Sequence, residues 1–209
     1  MMHHLAAAFG GVLAGLALAI PALVRQQRIL TKVRWMANHD DVTNLPNRRL
    51  FLDRLHSALA DGTPTGVVLL DLNDFKAVND TLGHETGNDL LDQVGRCLSG
   101  LSGPILAARL SGDEFALLVT GDRLATEAAA DAAWQAIAAH AFRVANGVLR
   151  VTASVGHTHT HSLQPHVSAR HLLSQADSAM YEAKITTGRV REYLPHRTAT
   201  VRSRSRQRP

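Results

Sequence analysis

A single cysteine, Cys97, stands among 209 residues. No intramolecular disulfide framework exists, zinc ribbons are excluded, and a reducing compartment is the simpler reading. No repeat of fixed period appears. Acidic residues are missing from both ends: Arg25, Arg28, Lys32 and Arg34 precede Trp35 without an acid, and five arginines follow His196 without one. The remaining body holds 13 basic and 18 acidic residues, so a formal net charge of +4 conceals a body of −5. An acidic body argues against a folded nucleic-acid face, because basic residues act by clustering more than by total. With 45% hydrophobic and 19% charged residues, the chain has globular composition and the length of one domain with an extension.

After residues 1–4, the run LAAAFGGVLAGLALAIPALV (residues 5–24) carries no charge. Twenty residues at about 1.5 Å each span a bilayer core of roughly 30 Å. The expectation is one retained transmembrane helix, with a cleaved signal peptide as the alternative. The cationic flank that follows places the body on the cytoplasmic side of the inner membrane, as a single-pass protein. Residues 25–38 carry Ile29, Val33 and Met36 at helical spacing, a helical connector that either pairs two chains or is a solvated linker. Residues 193–209 form a basic tail, and TATVRSRSRQRP at its end reads as disordered. A nucleic-acid-binding protein led by this tail is a separate functional class, and it predicts binding that disappears when residues 198–209 are deleted.

The body, residues 39–192, alternates helix and strand patterns. Residues 47–60 place Leu50, Phe51, Leu55 and Leu59 on one helical stripe behind Pro46. GVVLLDL (residues 66–72) reads as a buried central strand ending in Asp71. A carboxylate at the tip of an apolar strand is costly unless solvated, paired or cation-bound, with a helix cap as the plain alternative. A helix over residues 87–101 follows the turn at Gly83. Residues 105–109 and 115–120 read as a hairpin whose tip holds Ser111, Gly112, Asp113 and Glu114. A helix over 126–141, a strand over 148–155 and a helix over 168–185 complete a layered α/β sheet with helices packed on it. His157, His159 and His161 alternate in HTHTH; a solvated loop is the expected reading, a metal site the alternative.

Several ordered segments resemble one family. HDDVTNLPNRRLF (residues 39–51), LLDLNDFKAVNDTLGH (69–84), RLSGDEFALLV (109–119), VTASVG (151–156) and ADSAMYEAK (176–184) are similar, in order and spacing, to the GGDEF domain of diguanylate cyclases. The resemblance implies a palm-like, nucleotidyl-cyclase-type α/β fold with a central mixed sheet flanked by helices. It also implies an enzyme that condenses two GTP into cyclic di-GMP and two pyrophosphates, one GTP held by each half of a homodimer.

The same resemblance implies a site. Asp71, Asp113 and the carbonyl of Leu72 would bind Mg²⁺, with Mn²⁺ as the other candidate, and Asp113 would accept the hydroxyl proton with Glu114 in support. Ser111 and Gly112 would form the signature turn, Lys76 and Lys184 would meet phosphate, and Asn79, His84 and Asn88 would meet the nucleotide. Three departures matter. Asn88 stands where the family uses an aspartate for guanine N1–H and N2–H, and an amide offers those donors only one acceptor; relaxed base choice or weak activity follows, and so a regulatory module is the alternative function. Ser102-Gly103-Pro104-Ile105 replaces the inhibitory RxxD motif, so no inhibitory site is expected. AKITTGR is one residue longer than the family's AKxxGR, which moves Arg189 away from a phosphate. No sensory domain and no phosphodiesterase segment is legible.

Overall fold

The computed structural model describes residues 23–145, 147–160, 167–186 and 189–194. The chain divides into two units, residues 1–38 and 39–209. In the first, helix α1 covers residues 23–38; its Leu23, Ile29, Val33 and Met36 are exposed. Among the described residues no helix is long and apolar enough to cross a membrane. On that finding the expected inner-membrane, single-pass placement is corrected: the described helix carries Arg25, Arg28, Lys32 and Arg34 and is no span. The transmembrane helix expected at residues 5–24 lies outside the described residues but for its last two, and the tail beyond residue 194 also lies outside them.

The second unit is built around strand β1 (Thr65–Leu72). Before it, α2 (Arg48–Ala60) starts at Asn47, whose side chain accepts from the Leu50 amide at 3.1 Å, satisfying one of the donors that every helix start leaves open. After it come α3 (Phe75–Leu82), α4 (His84–Ser99), β2 (Ile105–Ser111), β3 (Glu114–Thr120), α5 (Arg123–Ala138), β4 (Phe142–Val144), β5 (Gly147–Leu149), β6 (Ala153–His159), α6 (Ala169–Thr186) and β7 (Val190–Glu192). The main sheet runs β2-β3-β1-β6-β7. β1 is antiparallel to both β3 and β6, while β7 runs parallel to β6.

Central placement explains the apolar sequence of β1. Val68, Leu70 and Leu72 face one core with Leu90, Leu91, Val94 and Ile137, and Val67 and Leu69 face another with Phe51, Leu55, Leu172 and Met180. A fully buried Leu or Val contributes roughly 1.5–3 kcal/mol, so this strand is a principal source of stability and of rigidity. Gly156 on β6 lets α6 close on the sheet, since a Cβ there would collide with the backbone of Met180 and Ala176.

Two expectations change. The strand expected over 148–155 is divided: β4 and β5 form a separate hairpin, and β6 begins only at Ala153. β4, β5 and β7 have three residues each, too few to print a periodicity. His157 and His159 belong to β6, not to a solvated loop; His157 is 2% exposed and its Nδ1 is buried without a hydrogen-bond partner. His159 Nδ1 lies 3.9 Å from Glu192 Oε1, and His161 is outside the described residues. No group of three or more His, Cys, Asp or Glu able to hold a metal occurs among the described residues.

A clamp ties the start of this unit to the β2–β3 hairpin. Asp40 accepts from the Thr43 amide at 2.9 Å and from its hydroxyl at 2.8 Å. Arg109 donates from Nη1 to Asp40 at 2.8 Å, and from Nε and Nη2 to the Gly112 carbonyl at 2.9 and 2.8 Å. Burial raises the Asp40 pKa, but the bonds from Arg109 and Thr43 outweigh it and hold the carboxyl below its ordinary value. The Arg109 and Asp40 side chains are 11% and 19% exposed, so removing one leaves a sheltered charge without its partner.

Two measurements follow. Arg109→Ala should destabilise the chain by about 2–4 kcal/mol in urea denaturation; a loss below about 0.5 kcal/mol would mean the clamp is only a surface pair. The His157 pKa is lowered, chiefly by burial, against the raising influence of Glu192, Glu127 and Asp131. The unfolded chain therefore takes up a proton, near pH 6.5, that the native chain refuses, so stability is full above that pH and falls on acidification below it. His157→Gln should flatten this slope; an unchanged slope would assign it to another group.

Candidate active site

The register of β1 against β3 sets Asp71 opposite Glu114. Directly opposed residues in an antiparallel pair have Cβ atoms roughly 4.5–5.5 Å apart, so two carboxylates meet at one end of the sheet. The hairpin turn brings a third. Its tip closes at Gly112, where φ of +48° lies in the left-handed region that glycine adopts without a Cβ clash. Ser111 Oγ donates to Glu114 Oε2 at 2.8 Å, and the Leu72 amide donates to the Asp113 carbonyl at 3.3 Å. The turn is thus laid against the last residues of β1, with Arg109 gripping its carbonyl from behind.

Like charges at this distance oppose ionisation. Burial raises the Asp113 pKa, and the charges of Asp71 and Glu114 raise it further, while its own backbone amide and Lys184 lower it. Lys184, on the last turn of α6, is the compensating cation: its Nζ lies 2.7 Å from Asp71 Oδ1. That hydrogen bond is the main cause of the raised Lys184 pKa, so the ammonium stays charged.

The start of α3 adjoins this cluster. Asp74 takes a left-handed conformation, φ 58° and ψ 19°, and makes no side-chain cap; its charge also helps raise the Lys184 pKa. Asp71 is therefore no helix cap. Asn73 fastens the intervening loop to β6: its Nδ2 donates to Thr152 Oγ1 and its Oδ1 accepts from Ser154 Oγ, both at 2.8 Å.

The residues expected to form the site fall into two groups. Asp71, Leu72, Ser111, Gly112, Asp113, Glu114 and Lys184 converge. Lys76, Asn79, His84 and Asn88 lie on the α3–α4 pair, and among the described residues none is hydrogen-bonded to the carboxylates. Lys76, His84 and Asn88 are exposed, while half-buried Asn79 sets its amide oxygen where a side chain on Gly87 would otherwise go. Arg189 lies elsewhere, its guanidinium 4.5 Å from the ring centroid of Trp134 on α5. Asn73, Arg109 and Asp40 were absent from the expected set. The motifs containing them are legible, but Asp40 and Arg109 lie 69 residues apart, and nothing local in the sequence joins them.

Comparison with known proteins identifies the family and the fold. The family described as "Diguanylate cyclase, GGDEF domain" matches residues 37–189. An uncharacterized protein in the hutH 5′ region of Streptomyces griseus is 39% identical over 183 residues, covering 81% of this chain and 71% of that one. The probable diguanylate cyclase DgcE of Escherichia coli K12 is 35% identical over 200 residues, 91% of this chain but only 18% of that protein. Among solved structures, the coiled coil and GGDEF domain of DgcB from Caulobacter crescentus, in complex with c-di-GMP, superposes with a TM-score of 0.78 at 27% identity, covering 87% of this chain and 98% of that one. The mixed sheet flanked by helices, the hairpin tip at its end and these matches lead to one conclusion: this chain belongs to the GGDEF domain family.

Proposed function

We propose that the chain is a diguanylate cyclase that condenses two GTP into cyclic di-GMP and two pyrophosphates, working as a homodimer with residues 39–192 as the catalytic domain and residues 25–38 as a helical connector. The observation that carries this reading is the convergence of Asp71, Asp113 and Glu114 with the single ammonium of Lys184 at the open end of the sheet. Each 3′-hydroxyl oxygen bonds to the other nucleotide's α-phosphorus, the bond from that phosphorus to pyrophosphate breaks, and the hydroxyl proton passes to a carboxylate. Asp113 suits that last role because its surroundings raise its proton affinity.

An all-oxygen donor set with surplus negative charge fits a hard divalent cation, Mg²⁺ or Mn²⁺. The Asp71 and Asp113 carboxylates and the Leu72 carbonyl would hold it; when bound, it neutralises charge on the reacting phosphate. Lys184 is exposed enough, at 52%, to turn from Asp71 to a triphosphate, with Lys76 as a second cation. Backbone amides around Asp74 and Phe75, at the start of α3, add donors of the kind that phosphates favour. Asn79, His84 and Asn88 would face the base. The positions of an inhibitory RxxD motif hold Ser102-Gly103-Pro104-Ile105, so inhibition through that motif is not expected.

The experiment is to incubate the full chain with Mg²⁺ and GTP and to identify the product by mass. Cyclic di-GMP should form, should vanish when the metal is chelated, and should fall at least about 10²-fold in Asp113→Asn. The fall should come without loss of stability, because the variant removes an ill-tolerated charge. A folded dimer that binds GTP yet forms no product would replace the enzyme with a regulatory module.

A second reading concerns the base. Asn79 and Asn88 both present amides, each one donor group and one acceptor, where guanine's N1–H and N2–H call for two acceptors. With GTP and ATP together, mixed cyclic dinucleotide should accompany cyclic di-GMP, and Asn88→Asp should shift the ratio towards guanine by about tenfold or more. Equal ratios in the two proteins would remove Asn88 from base selection.

A further inference from the structure

Beside the carboxylate cluster, on the α2 and α6 side of the sheet, lies a cavity of about 300 Å³ that shares Glu114 with it but whose Arg48, Ser174 and Asp177 the reaction described above does not use. Its floor is apolar: Leu69 of β1, and Leu173 and Met180 of α6. Its polar groups come from three elements, Arg48 on the first turn of α2, Glu114 on the hairpin, and Ser174 with Asp177 on α6. Glu114 is already engaged by Ser111. Arg48 and Asp177 are exposed, and the described residues give neither a hydrogen bond nor an ion pair. A guanidinium and a carboxylate therefore line one cavity without pairing with each other.

The wall that carries Asp177 is held in place. Gly156 brings the α6 backbone against β6 at Met180 and Ala176, and Ala176 is fully buried, so the α6 side of the cavity is fixed by close packing. The volume stands at the lower end of small-molecule sites. It accommodates one flat heterocycle, not a dinucleotide.

We propose that this cavity is a second base-binding site, which takes the guanine of a guanine nucleotide over the Leu69, Leu173 and Met180 floor, with Asp177 and Arg48 reading its two edges. Guanine N1–H and N2–H supply two adjacent donors for one carboxylate, and O6 with N7 supplies two adjacent acceptors for one guanidinium. Adenine offers one donor group at N6 and one acceptor at N7 on that edge, about half the bonds. The site adjoins Glu114, so an occupied cavity reports directly on the hairpin that carries Asp113. The inference rests on the reading above only in that guanine nucleotides are the ligands at hand; the α3–α4 group is a different place on the molecule.

Met180 provides the reporter. The chain has four methionines, so a methyl-labelled spectrum of the full chain is simple, and Met180→Leu assigns the relevant signal. Guanosine, which lacks phosphate and so owes nothing to Lys184, should shift the Met180 methyl saturably, with adenosine at least about tenfold weaker. Asp177→Asn and Arg48→Gln should each weaken guanosine by a similar factor while leaving the urea denaturation midpoint in place, which excludes misfolding. Titrations with GTP and with cyclic di-GMP then separate the two sources of the base by which one saturates the same signal at lower concentration. A Met180 methyl that guanosine leaves unmoved, or that responds equally to adenosine, or that responds undiminished in both variants, overturns the proposal. Cyclisation of GTP is measured alongside: product with no Met180 response overturns this inference alone, and a Met180 response with no product overturns the cyclase reading alone.

Discussion

Asp71 stands opposite Glu114 because β1 is bonded along its length to β3, and that cross-strand pairing is the constraint on which the site depends. Seven consecutive pairs, from Thr65 with Thr120 to Asp71 with Glu114, fix the register. A slip of one residue would carry every side chain of β1 to the wrong face, and with it Val68, Leu70 and Leu72 out of their core. Hydrophobic burial thus enforces the position of a charge. The strand is held by apolar side chains, and the acid at its end has no freedom to retreat from the hairpin.

The cost of that arrangement is visible in the same place. Three carboxylates crowd one end of the sheet, and the Asp113 pKa is raised by burial first and by the charges of Asp71 and Glu114 after it. Lys184 offsets part of it through Asp71. The hairpin is meanwhile held in place by Ser111 on the Glu114 carboxylate, by the Leu72 amide on the Asp113 carbonyl and by the Arg109 guanidinium on the Gly112 carbonyl. A stability-driven sequence would place fewer acids here. Sites that concentrate charge against a structural preference are where a ligand of opposite charge gains most, and a metal–triphosphate complex supplies cation and anion together, for the carboxylates and for Lys184.

Much of this was legible in the sequence. The apolar run of β1, the stripes of α2, α4 and α6 and the turn residues of the hairpin are local patterns, and each corresponds to an observed element. The converging half of the site was legible too, since Asp71 sits at the end of a readable strand and Asp113 and Glu114 at a readable turn. What the sequence withheld has physical reasons. Strands of three residues, such as β4, β5 and β7, show no period. The burial of His157 depends on β6 lying between β1 and β7, which the pattern HTHTH does not disclose, because a buried strand and a polar loop share that alternation. Arg189 on Trp134, Asn73 on Ser154 and Arg109 on Asp40 are contacts between distant segments, and only the tertiary fold brings their partners together. The apolar run at residues 5–24 reads as a spanning helix, while the described residues contain no helix long and apolar enough to cross a membrane.

The central claim is that the Asp71, Asp113 and Lys184 cluster is a receptor for a divalent metal with a nucleotide triphosphate. Calorimetric titration of the full chain with a non-reactive GTP analogue, with and without Mg²⁺, tests it most directly. The account predicts binding that requires Mg²⁺, is lost in Asp71→Asn, and is weakened about tenfold or more in Lys184→Ala. Binding of equal strength without metal, or undiminished in Asp71→Asn, would contradict it.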